Sequence, residues 1–211
     1  MLNHIKEKIK HFFEGNNSHD LDHTMRVHDM CIYIGNKEGA NIEILQISAL
    51  MHDIGRKKQH ETKGKVCHAE YGTKLADEIL SELGIEKNKK NQILHCISTH
   101  RFRKGNEPQS LEAKILFDAD KLDSIGAVGI GRAFMYANEV GARLHNNVGT
   151  KIEETEEHGP EDTAYREFEI KLKKVKDRLF TESAKKIAEK KHKIMVDFFE
   201  NLNDEVWNIK K

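Results

Sequence analysis

Proline is scarce, with two in 211 residues, and no run approaches the roughly 18 consecutive apolar residues of a membrane-spanning helix. So few prolines leave long helices uninterrupted. A balance of 37% hydrophobic to 33% charged residues excludes a disordered or fibrous chain. Cysteine is scarce too: Cys31, Cys67 and Cys96 are odd in number, widely spaced and form no CxxC pair. That argues against both a disulfide framework and a zinc knuckle, and the three read as small buried hydrophobes. Excess charge of either sign is absent, since 35 basic residues face 35 acidic ones. Without a global positive field no stable nucleic-acid partner is expected. The N-terminal stretch lacks a small-residue cleavage site after an apolar core, so a cytoplasmic location without a membrane partner is expected.

Histidine is what the chain has in quantity, thirteen copies scattered along its length. Apolar residues recur every three to four positions and never in strict alternation, so the expected fold is all-α, a single domain over 1–211. The periodicity predicts helices at about 1–14, 20–38, 42–54, 68–83, 88–101, 110–125, 127–140, 163–180 and 183–208. Gly15, Gly39, Gly55, Gly84, Gly105 and Gly126 fall where left-handed C-caps are wanted. Segments 56–67 and 141–162 lose the rhythm and read as mobile loops that shape a pocket. In the last helix Ile187, Ile194, Phe198 and Leu202 form the stripe expected to dock on the core. A face containing Phe134, Met135 and Tyr136 is a candidate homodimer contact.

Ionisable residues occupy positions where the helical pattern calls for hydrophobes. His23 heads the row Val27, Met30, Cys31, Ile34; His52 and Asp53 continue rows through Leu45, Ala49 and Leu50. His68 begins the row Leu75, Ile79, His100 ends the row Ile93, Cys96, Ile97, and Asp120 follows Ala113, Leu116 and Phe117. Burying one such group without a partner costs on the order of 2 to 7 kcal/mol, so six from five helices require a common explanation. A metal supplies it, for imidazole and carboxylate are ligands of Zn, Mn, Fe and Mg. His52 and Asp53 are adjacent, and at a terminal turn both side chains can face one cation.

The order His23, then His52-Asp53 in ALMHDIGR, then Asp120 in DADKLD resembles the HD-domain metal-dependent phosphohydrolase superfamily. Matches at HTMRV, CHAEYG, STHRF and LEAKILFDADKLDSIGAVGI extend the likeness over about 19–140 and point to a soluble branch of predicted HD hydrolases, as does the tail TESAKKIAEKKHKIMVDFF. The resemblance implies a helical bundle with the metal site at its centre; the periodicity places a loop at about 141–162 and C-terminal helices at about 163–208 after it. It implies that His23, His52, Asp53 and Asp120 hold a first divalent cation. His68 and His100 fall where some HD enzymes hold a second and where single-metal relatives contact phosphate, so one or two ions per chain are both open. Mn, Mg, Zn, Fe, Co and Ni all suit such ligands.

The implied reaction is hydrolysis of a phosphate ester or anhydride of a nucleotide or similar metabolite, by metal-activated hydroxide attacking phosphorus. Nucleotidase or nucleoside-triphosphate pyrophosphohydrolase activity is favoured over phosphodiesterase. Arg26, Arg56, Lys57, Arg101 and Lys121 neighbour the ligands and are candidate phosphate contacts. Asp53, Lys121, Glu70 and Asp123 are candidate catalytic groups, with Asp123 preferred as an acceptor that orients a ligand histidine. Glu70 also sits in an H-x-E triplet like that of zinc deaminases, but no P-C-x-x-C follows. HExxH, GxxxxGK[ST] and GxSxG are absent, leaving zincin, P-loop and serine-hydrolase classes unsupported. The alternative to an enzyme is a non-catalytic module that binds metal and nucleotide for regulation.

Overall fold

A computed structural model describes residues 2–13, 21–101 and 105–208, and among them every regular element is helical. The chain divides into two compact units, Met1–Asp120 and Lys121–Lys211. No helix among the described residues is long and apolar enough to cross a membrane.

The first unit contains α1 (Leu2–Ile9), α2 (Leu21–Glu38), α3 (Ile42–Met51), α4 (Arg56–Glu61), α5 (His68–Glu82), α6 (Lys87–Thr99) and all but the end of α7 (Leu111–Asp123). The centre is α3, apolar almost all round, with Ile44, Leu45, Ile47, Ala49, Leu50 and Met51 buried between α1, α2 and α6. Asn41 starts it, its side chain accepting from the Glu43 and Ile44 backbone N–H groups. The chain then makes a tight turn through 52–55 and meets α5. Gly55 is needed there for space: a Cβ would collide with the His68 carbonyl oxygen and lie 2.7 Å from the Gly72 nitrogen. Its φ of −86° is not left-handed, unlike Gly39, Gly84, Gly105 and Gly126, which do adopt positive φ. Gly15 lies outside the described residues.

The segment 56–67, expected to be irregular, opens with α4. Six residues with no buried apolar side chain carry no periodic signal.

The second unit contains α8 (Gly126–Glu139), α9 (Ala164–Ile170) and α10 (Glu182–Asn203). The helix expected over 163–180 breaks at Lys171, and Leu172–Arg178 continues as a 3-10 helix. On α10 the buried face is Ala184, Ala188, Met195 and Phe199, whereas Ile194 and Phe198 are exposed, so the expected stripe is one position out of phase. Phe199 stacks on Phe168 with ring centroids 4.5 Å apart, and Phe134 packs against both Phe198 and Phe199. Of the dimer candidates, Met135 is exposed, while Phe134 and Tyr136 are half-buried.

The 141–162 segment, expected to be a loop, is irregular apart from the 3-10 turn Ile152–Glu154 and is joined to its surroundings by side-chain hydrogen bonds. Asn146 donates to the Glu161 carbonyl and accepts from Thr163, and the Trp207 indole N–H reaches the Asn146 carbonyl. Buried Arg166 pairs with buried Asp162 at 2.8 Å and donates to Thr155.

Candidate metal centre

His52 and His100 occupy equivalent local positions, each one residue beyond a helix end, α3 for one and α6 for the other. Helix C-termini leave carbonyls without intrahelical partners, and each ring uses one. His52 Nδ1 donates to the Ala49 carbonyl at 2.7 Å, and His100 Nδ1 to the Ile97 carbonyl at 2.6 Å. Since a carbonyl only accepts, both rings carry their proton on Nδ1 and present a lone pair at Nε2.

Six side chains whose atoms could hold a metal ion converge as two trios. His23, His52 and Asp120 form one, and Asp53, His68 and His100 the other. In the first, the Nε2 atoms of His23 and His52 are 3.4 Å apart, and Asp120 Oδ1 is 3.5 Å from His23. In the second, the Nε2 atoms of His68 and His100 are 3.0 Å apart, with Asp53 Oδ1 at 3.3 and 3.6 Å from them. The other Asp53 oxygen, Oδ2, faces the first trio at 3.8 Å from His23 and 3.7 Å from His52. One carboxylate thus turns an oxygen toward each trio.

Electrostatics keep His52, His68 and Asp53 in forms that can bind a cation. Burial pushes the His52 imidazole down to about 4 and drives His68 far below its ordinary value, so both rings are neutral near pH 7. Burial opposes ionisation of Asp53, but the Arg56 guanidinium and the surrounding imidazoles hold its carboxyl well below the usual range. Arg56 grips it with Nη2–Oδ1 at 2.9 Å and Nε–Oδ2 at 3.2 Å. Neutral His52 and His68 nitrogens therefore face the anionic Asp53 oxygens, a donor set whose chemistry fits a divalent cation. Two nitrogens sharing a tetrahedral cation at about 2.1 Å stand roughly 3.4 Å apart, close to the observed spacings.

The remaining candidates are dispersed. Arg101 is half-buried beside His68, and Arg26 is half-buried one turn along α2 from His23. Lys57 and Glu70 are exposed. Lys121 follows Asp120 and is half-buried, while Asp123 Oδ2 accepts from Arg132 at 2.8 Å. Sequence reasoning missed Gln59, whose Oε1 lies 2.7 Å from His68 Nδ1 and 3.0 Å from Arg101 Nη1. Its only signal is the three-residue spacing from Arg56.

A helical fold with this centre defines a class. The HD domain profile matches residues 20–125, and the chain belongs to the HD-domain family. It is 35% identical over 192 residues to YpgQ of Bacillus subtilis, covering 89% of this chain and 84% of YpgQ. The crystal structure of B. subtilis YpgQ in complex with ADP superposes over the whole of both chains with a TM-score of 0.77 at 30% identity. An HD-superfamily hydrolase from Bacillus thuringiensis matches with a TM-score of 0.75 at 30% identity, over 99% of this chain and 97% of that one.

Proposed function

We propose that this HD-family protein is a divalent-metal-dependent phosphohydrolase that cleaves a phosphate ester or anhydride of a nucleotide or similar small metabolite. The observation that carries this reading is the Asp53 carboxylate set between two histidine-containing trios, a donor set for two cations. A divalent cation bound there lowers the pKa of water toward about 7 and withdraws charge from a phosphoryl oxygen.

The chain's own groups do the rest. Backbone carbonyls aim His52 and His100, and Arg56 keeps Asp53 anionic. Asp120, with 14% of its side chain exposed beside wholly buried His23 and His52, marks the side from which a phosphate reaches the centre. Arg101, beside His68, supplies positive charge for phosphoryl oxygens. Glu70 is exposed and Asp123 holds Arg132, so proton transfer is assigned to neither.

YpgQ in complex with ADP supports a nucleotide as the substrate class. Phosphate release across a nucleotide panel, with Mn, Mg, Co or Zn and with or without added pyrophosphatase, tests the reading and separates pyrophosphate release from monophosphate cleavage. No release in any combination sinks it. Nucleotide-induced thermal stabilisation without turnover would then identify a binding module.

A further inference from the structure

His68 differs from His52 and His100 in where it sits on its helix. His52 and His100 follow helix ends and use carbonyls there, but His68 is the first residue of α5, where free backbone N–H groups are found instead. No side chain of Cys67 caps that end. The acceptor comes from α4, where Arg56 and Gln59 are three residues apart and so project from neighbouring positions on one face. Arg56 reaches Asp53, and Gln59 reaches His68.

Gln59 Oε1 accepts from three donors: the His68 backbone N–H at 3.2 Å, His68 Nδ1–H at 2.7 Å and Arg101 Nη1 at 3.0 Å. A backbone N–H and a guanidinium only donate, so the atom they meet is the amide oxygen and His68 Nδ1 must carry its proton. The His68 lone pair then lies on Nε2, the atom facing His100 and Asp53.

We propose that Gln59 is the positioning residue of the Asp53, His68 and His100 trio, locking His68 in the Nδ1–H tautomer and tethering the Arg101 guanidinium beside it through the same oxygen. The inference rests on that trio holding a cation. Groups that orient a ligand imidazole through its other nitrogen typically change metal affinity by about ten- to a hundredfold when removed.

The test compares wild type with Gln59→Leu and Gln59→Glu, the second of which keeps an acceptor at the same place. Long-range 15N–1H correlation of the histidine rings in metal-stripped protein reads the tautomer directly. His68 should be Nδ1–H in wild type and Gln59→Glu, and should shift toward Nε2–H in Gln59→Leu. Titration with Mn or Zn alone should show the weaker-held ion of Gln59→Leu losing about ten- to a hundredfold in affinity, with the other ion unchanged. Gln59→Glu should restore it. An unchanged tautomer in Gln59→Leu, or equal loss of both ions, overturns the proposal. A wild type that takes up only one ion overturns the two-cation reading instead, and the tautomer comparison, made without metal, still decides the role of Gln59.

Discussion

His23, His52 and Asp120 are brought together by α2, the turn after α3, and α7, and one of the three keeps some exposure to water. Asp53, His68 and His100 are all buried, and each depends on a neighbour outside the trio: Arg56 for the carboxylate, Gln59 for one ring and the Ile97 carbonyl for the other. The first arrangement has one partly exposed member, Asp120, while the second is buried throughout and takes two of its three outside partners from side chains of α4. The difference teaches that α4, six residues with nothing buried, steers the buried trio through two polar side chains.

Asp53→Asn should erase the distinction altogether, because Asp53 faces both trios. Neither ion is expected to remain in elemental analysis, and phosphate release should fall by at least about a thousandfold, the equivalent of several kcal/mol of transition-state stabilisation. Retention of one ion would detach Asp53 from that trio.

Gly55→Ala acts one step back. Its methyl group would enter the space of the His68 carbonyl and the Gly72 nitrogen, pushing the 52–55 turn away from α5. A loss of about 2 kcal/mol is expected in denaturant unfolding of the metal-free protein, typical of overpacking against backbone. An unchanged midpoint would mean that the turn and α5 are not in the contact described.

Acid sharpens the comparison from another side. In metal-stripped protein, burial lowers the folded-state pKa of His52 to about 4 and depresses His68 further, while the unfolded rings titrate near 6.5. The unfolded chain therefore binds more protons below 6.5, and Asp53, also depressed, acts in the same direction. Stability should be fully present above pH 6.5 and fall as pH drops toward 4. Urea midpoints at pH 7.5 and 5 check this, and a higher midpoint at pH 5 would reverse the sign. The smallest effect belongs to exposed Glu70: Glu70→Gln should leave turnover within about twofold.

The convergence of the six side chains in the two trios was legible because each puts a polar group on an apolar stripe, a conflict that local periodicity exposes. Gln59 was not, since on a helix with no buried residues its partners are set by how α4 meets α5, not by spacing. Phase was the other loss. Ile194 and Met195, and again Phe198 and Phe199, offer two stripes about 100° apart that are equally apolar, and only tertiary packing selects the pair Met195 and Phe199. The break at Lys171 has no glycine or proline to announce it, whereas its consequence, a 3-10 helix with Leu172 and Val175 buried, serves the core of the second unit.

The most direct test counts metal in the purified, metal-replete protein beside His68→Ala and His23→Ala. Two divalent ions per chain in wild type, falling to one in each variant, is the result predicted by two trios sharing Asp53. One ion in wild type, unaffected by His68→Ala, would contradict it and return His68 and His100 to the role of phosphate contacts.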